Sequence, residues 1–155
     1  MISIVDTLWI RASPAQVFQH AADVERWPAI LPHYRSVRMR RRPGGEPGVV
    51  EMSANRPFGP LNWPTWWVSE MWVHEGAREI RYRHVEGITR GMDVVWTVGP
   101  ENGGTRASIV HAWSGPAWPL IRWPAAKFLI MPVFVHGIAS RTLAGIAKAA
   151  EGSGG

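Results

Sequence analysis

Apolar residues return along this chain with two different periods, and the points where one gives way to the other mark its elements. From Ser13 the rhythm is helical, with Val17, Phe18, Ala21, Ala22 and Val24 at three- and four-residue spacing. Ser13 suits an N-cap, and Pro14 suits the first helical position, where a missing N–H leaves no hydrogen bond unmade. Pro28 and Pro32 then interrupt the helical hydrogen bonding, so one short helix becomes two. Ile2–Ile10 before this segment, and Tyr34–Arg42 and Gly48–Asn55 after it, read as strands, the last two joined by the turn-forming stretch PGGEPG at 43–48.

Two hairpins follow. Asn102-Gly103 stands between alternating runs, the signature of a two-residue type I′ turn, and it fixes a register with Trp96 opposite Ile109, Val94 opposite His111 and Met92 opposite Trp113. Asp93, Thr97, Arg106 and Ser108 then share the other face. A turn at Gly76-Ala77 would join Trp66–Glu75 to Arg78–Val85, setting Val73 against Ile80, Met71 against Tyr82 and Ser69 against His84, with Arg81 and Arg83 outward. A slip of one residue would instead send Trp66, Glu70 and Trp72 inside, and the sequence leaves that register open. From Pro132 to Ala150 the helical period returns, with Val135, Ile138, Ala139, Thr142, Leu143, Ile146 and Ala150 in one stripe and Arg141 and Lys148 off it. The order is strand, two short helices, six strands and a long helix, an α+β arrangement with its helices gathered on one face of the sheet.

Composition narrows the function. A length of 155 residues suits one domain, assigned to 1–151 with a flexible tail at 152–155, and large enough for a substantial core. The absence of cysteine excludes disulfides, thiolate catalysis and zinc ribbons, and the N-terminus lacks a signal-peptide pattern, so a cytoplasmic location is expected. The net charge of +5 is carried mainly by arginine, clustered at Arg35, Arg38, Arg40, Arg41 and Arg42. Arg38, Arg40 and Arg42 share one face of a strand, so the cluster reads as its solvated side, and no zinc-finger, RNP or lysine-rich pattern suggests nucleic-acid binding. The six histidines form no H-x-H or H-E-x-x-H pair, and no phosphate-binding glycine loop or G-x-S-x-G elbow is present; no metal and no cofactor is expected.

The segment Ile10-Arg11-Ala12-Ser13-Pro14, followed by Val17-Phe18 and by Asp23-Val24-Glu25-Arg26-Trp27-Pro28-Ala29-Ile30-Leu31-Pro32, resembles the START-like (SRPBCC) superfamily in its polyketide cyclase/dehydrase branch. The Gly104-Thr105-Arg106 entry to the last strand and the terminal helix agree with that layout across essentially the whole chain. The resemblance implies a helix-grip fold, a curved antiparallel sheet of about seven strands around the long C-terminal helix, with a ligand cavity between them. It also implies a hydrophobic, aromatic or polyketide-like ligand, with cyclisation and dehydration as the accompanying chemistry. Carriers, sensors and enzymes share this fold, so the chemistry itself stays open.

On the register above, the wall of that cavity comprises Trp67, Ser69, Met71, Tyr82, His84, Met92, Val94, Trp96, Ile109, His111 and Trp113 from the sheet, with Val135 and Ile138 from the helix. Trp67 and Trp113 suit the flanks of a planar ligand, whereas Trp27 and Trp96 read as core. Folding a flexible poly-β-ketone, polarising a carbonyl and removing an α-proton needs shape, donors and a base titrating near neutrality. His111 fits the base or carbonyl donor and Tyr82 a second donor, with Ser69 and His84 in support; each also fits a satisfied core polar residue. The resemblance further implies an inward arginine in enzymic relatives, and Arg81, Arg83 and Arg106 all face outward here. The alternative is a non-catalytic lipid or quinone carrier that works at a membrane surface. In it Trp118, Leu120, Ile121, Trp123 and Phe128 of the apolar stretch 117–139 dip into the interface, while Arg122, Lys127 and three prolines argue against a span. An outward-facing Trp66 and Trp72 would add a homodimer surface.

Overall fold

The computed structural model describes residues 2–58, 61–115 and 135–153. Its elements in chain order are β1 (Ile2–Ile10), α1 (Pro14–Ala22), a 3₁₀ turn (Val24–Arg26), α2 (Trp27–Ile30), β2 (Tyr34–Arg41), β3 (Gly48–Phe58), β4 (Leu61–His74), β5 (Glu79–Gly87), β6 (Asp93–Glu101), β7 (Gly104–Trp113) and α3 (His136–Ser153). The strands form one antiparallel sheet of seven in the order β1-β7-β6-β5-β4-β3-β2, so β1 and β2 are its edges. Helices α1, α2 and α3 pack on its inner face, with the apolar core between.

Local chemistry sets each boundary. Ser13 Oγ accepts from the Gln16 backbone N–H at 3.2 Å while Gln16 Oε1 accepts from the Ser13 N–H at 3.3 Å, a closed capping box with Pro14 in the first turn. Asn102 and Gly103 both take positive φ, 47° and 76°, as a type I′ turn demands, and Trp96 pairs with Ile109 and Val94 with His111. In the β4–β5 hairpin Val73 faces Ile80, Met71 faces Tyr82 and Ser69 faces His84, so the slipped register is not adopted and Trp66 stands 55% exposed. That turn is tied by the Arg78 N–H to Glu75 O, and Arg78 (φ 48°) rather than Gly76 takes the left-handed conformation.

Strand β4 begins at Leu61, five residues earlier than the sequence pattern suggested, and β2 ends at Arg41. The start expected for the last helix, Pro132, lies outside the described residues. Its far end runs on to Ser153, past the Gly152 at which a tail was expected to begin, while Gly154 and Gly155 are not described. The stripe from Val135, just before α3, to Ala150 faces the sheet, and Arg141 and Lys148 are exposed. Gly145 lets α3 close on α2, since a Cβ there would lie 2.1 Å from Leu31 Cδ2. At the other end the buried Asp6 of β1 is hydrogen-bonded through Oδ1 to His136 Nδ1, which ties the edge strand to the first turn of α3.

The arginine cluster is the solvated side of β2, with Arg38 and Arg40 on Glu51 at 3.5 and 3.0 Å and Arg42 on Glu25 at 2.7 Å. Among the described residues no helix is long and apolar enough to cross a membrane.

Candidate functional site

Alternation along β5, β6 and β7 sends Tyr82, His84, Val94, Trp96, Ile109 and His111 to the concave side, where they meet Val135, just before α3, and Ile138, Ala139 and Thr142 of α3 across a cavity of about 280 Å³. Trp27 of α2, Tyr34 of β2 and Met52 of β3 close one side of it. Pro64, Thr65 and Trp66 of β4, with Ile88 and Thr89 of the β5–β6 loop, line another, and the exposure of Trp66 and Ile88 (55% and 47%) places them at its mouth.

An aromatic seam runs through the wall. Trp96 and Trp27 have ring centroids 5.9 Å apart, Trp27 and Tyr34 5.1 Å, Tyr34 and Trp67 6.1 Å, and Trp67 lies parallel to His84 at 5.6 Å with 2° between planes. Gly87 makes the last contact feasible: it pairs with Trp67 at φ +103°, and a Cβ there would fall 2.6 Å from Trp66 O. Thr89 Oγ1 bonds His84 Nδ1 at 2.6 Å, and the Gly91 N–H donates to His84 O at 2.8 Å, so the β5–β6 loop pins the imidazole in its stack. Trp27 is fixed in turn by its Nε1–H, which donates to His20 O at 3.1 Å.

Two polar groups in this wall lack a partner within the described protein, Tyr82 OH and His111 Nδ1. They sit in one cross-strand row, Tyr82–Val94–His111, so their backbones are about 10 Å apart at the usual strand spacing. The His111 ring is half-buried, open to the cavity on one side, and its Nδ1 is shielded from water. Burial pulls His111 down to about 4, and burial together with the His111 charge pulls His84 to about 3, so both rings are neutral at neutral pH. Burial also raises Tyr82 and Tyr34 above the ordinary phenol range, with Thr142 opposing the rise at Tyr34. Burial thus makes the His111 imidazole a weaker base than a free one while leaving it a competent hydrogen-bond partner.

Three expected wall residues do not reach the cavity. Met71 and Trp113 are buried behind its lining, and the Trp113 Nε1–H is used on Arg90 O at 3.0 Å, holding the β5–β6 loop. Ser69 is fully buried opposite a bulge at Val85 of β5, since Val68 pairs with Glu86 and Ser69 with His84, and its Oγ has no partner among the described residues. Conversely, periodicity gives no sign of Tyr34, Met52 or Thr89 in the lining, nor of the role of Thr142. A polar residue in the middle of an apolar helical stripe was the available signal for Thr142, which donates to Ile138 O at 2.8 Å and also meets His33 Nε2 at 2.9 Å. Trp27 and Trp96, read as core, are both core and lining. Trp118, Leu120, Ile121, Trp123 and Phe128 lie outside the described residues. No cluster of metal-ligating side chains occurs among the described residues.

A curved antiparallel sheet gripping a C-terminal helix over an aromatic cavity is the helix-grip α+β architecture of the START-like superfamily. The chain belongs to the polyketide cyclase/dehydrase and lipid transport family, whose model matches residues 10–133. Membership implies a hydrophobic ligand. The fold is similar to that of TTHA0849 from Thermus thermophilus, with a TM-score of 0.81 and 18% identity over 99% of this chain and 100% of that one. It is likewise similar to the Zhui aromatase/cyclase from Streptomyces sp. R1128, with a TM-score of 0.78 and 19% identity over 97% and 93%. A START superfamily protein from Mycobacterium smegmatis matches with a TM-score of 0.66 and 16% identity over 97% and 95%. At these identities the likeness concerns the fold. No curated protein matches the sequence significantly.

Proposed function

We propose that the cavity binds a hydrophobic small molecule built on aromatic or polyketide-like rings, with Tyr82 and His111 hydrogen-bonding its oxygens. The observation that carries this reading is the pair of unpartnered polar groups in an aromatic wall, because a buried donor or acceptor left unmade costs about 1–3 kcal/mol and a ligand oxygen restores it. Trp67, His84, Met92, Val94, Trp96 and Ile109 supply the flat apolar contact, and Val135 and Ile138 the roof. A poly-β-ketone folded against them would have a carbonyl polarised by Tyr82 or His111. Taking up an α-proton at His111 would then need the ligand itself to raise the imidazole's basicity.

Native mass spectrometry of freshly purified protein, followed by tryptophan-fluorescence titration with aromatic ketones and quinones, tests this reading. Tyr82→Phe and His111→Phe are each expected to weaken binding about 3- to 10-fold, one neutral hydrogen bond apiece. Failure of every hydrophobic ligand to bind would sink it. A second reading, a lipid or quinone carrier acting at a membrane surface, is favoured by the exposed Trp66 and Ile88 at the mouth. Under it, wild-type protein co-sediments with anionic vesicles, Ile88→Ser loses that property, and His111→Phe leaves ligand exchange intact.

A further inference from the structure

Among the described residues that line the cavity none is Asp, Glu, Lys or Arg, a sharp departure from a chain in which 19% of residues are charged. Arginines of the sheet are held outside by carboxylates or carbonyls: Arg83 on Asp93 at 2.9 Å, Arg40 on Glu51 at 3.0 Å, Arg41 on Pro47 O at 2.9 Å. The buried acid of the inner face, Asp6, is engaged by His136 and does not line the space. The described side chains that bring polar atoms to it are Tyr, His, Thr and Trp, all able to bond a neutral oxygen, and with burial keeping both histidines neutral none carries a charge to set against an ion.

From this geometry we infer that the site selects an electrically neutral ligand, a ketone, quinone, phenol or ester rather than a carboxylate, phosphate or ammonium. This rests on the cavity being the binding site and deepens that reading. An ion entering the cavity would lose its hydration and meet no fixed counter-charge among the described lining residues, a large penalty, whereas a neutral carbonyl exchanges water for Tyr82 or His111 at little cost. The volume of about 280 Å³ lies at the lower end of small-molecule sites, which suits two or three fused rings. Selection inside opposes attraction outside. The net charge of +5 draws anions to the surface, so an anion failing to enter is informative.

The test is a matched series on wild-type protein at about 0.15 M salt, where surface attraction is largely screened. Methyl 2-naphthoate, sodium 2-naphthoate and 2-naphthylmethylammonium chloride share one ring system and differ in charge. Their dissociation constants would come from tryptophan quenching, with the neutral ester as competitor to locate the binding site. The expected result is binding of the ester, with the anion and the cation each weaker by about 100-fold or more, roughly 2.7 kcal/mol. Competitive binding of either ion within about threefold of the ester would overturn neutral selection and leave the cavity reading standing. Failure of all three to bind would instead overturn the cavity reading, and this inference with it.

Discussion

Strand β5 presents opposite chemistries on its two sides, and the contrast separates what builds the fold from what can serve a ligand. Outward, Arg81 reaches Glu79 at 2.5 Å and Arg83 makes two bonds to Asp93 at 2.9 and 3.1 Å, although water could satisfy all of them. Inward, one residue away, Tyr82 OH has no partner in a place that water reaches poorly, and His111 Nδ1 two strands over is in the same position. Polar groups are normally paired where pairing matters most. At Tyr82 and His111 the order is inverted: the exposed groups, for which pairing contributes little, are paired, while these two buried groups are left open beside a His84 that Thr89 holds. A sheet needs no such inversion to fold, whereas a binding cavity does, because its polar groups must be left unpaired by the protein to discriminate among ligands.

The most severe way to break that contrast is to place a charge on each side of one strand. Val94 lines the cavity between Tyr82 and His111, while its neighbour Val95 faces outward with Arg81 and Val110 across from it. Val94→Glu is expected to destabilise the protein by about 3 kcal/mol or more through an unpaired buried carboxylate, or to fold only with that carboxyl protonated. Val95→Glu gains Arg81 as a cross-strand partner and should lie within about 0.5 kcal/mol of wild type. Urea unfolding of both variants measures the difference, and equal costs would show that the faces are not distinct.

The outward face was far more legible in the sequence than the cavity. Alternation along β5 sends Arg81 and Arg83 outward and the Asn102-Gly103 turn does the same for Arg106, whereas the β4–β5 register stayed open in the sequence and is settled by the pairing of Met71 with Tyr82. The seven strands, the Ser13 cap and the α3 stripe follow from equally local rules. Facing, however, does not separate lining from core. Met71, Trp113 and Ser69 point inward with Tyr82 and His84, yet α2, α3 and the β5–β6 loop decide which of them borders empty space. Tyr34 and Thr89 escape the pattern for the same reason: one starts a strand at a bulge and the other sits in a turn, where no period operates. The pKa of His111 was equally out of reach, since it depends on burial created by distant elements.

A pH titration of stability would sharpen the contrast next. His84 falls to about 3 and His111 to about 4, mainly through burial, and His33 to about 4 through burial and the nearby Arg141. Each is neutral in the fold but titrates near 6.5 when unfolded, so below that value the unfolded chain takes up protons that the folded one refuses. Stability is therefore full above about pH 6.5 and is lost as pH falls through about 4, by several kcal/mol in all. His111→Phe, which cannot be protonated, should shallow that slope in thermal melts across the range. Unchanged steepness would place the acid sensitivity elsewhere, in the carboxylates of the outer face.

The smallest expected effect is the most diagnostic, because it carries opposite signs on adjacent residues. Tyr82→Phe removes a buried hydroxyl that has no partner within the described protein, so the unliganded fold should be unchanged or gain up to about 1 kcal/mol while ligand affinity falls. Arg83→Met removes an exposed ion pair with Asp93, for which a loss of about 0–1 kcal/mol is expected, with affinity untouched. Denaturant unfolding with and without ligand separates the two. If Tyr82→Phe weakened the unliganded protein by more than about 1 kcal/mol, the hydroxyl would be a structural group with an internal partner, and the inversion that distinguishes the inner face would be lost at its central residue.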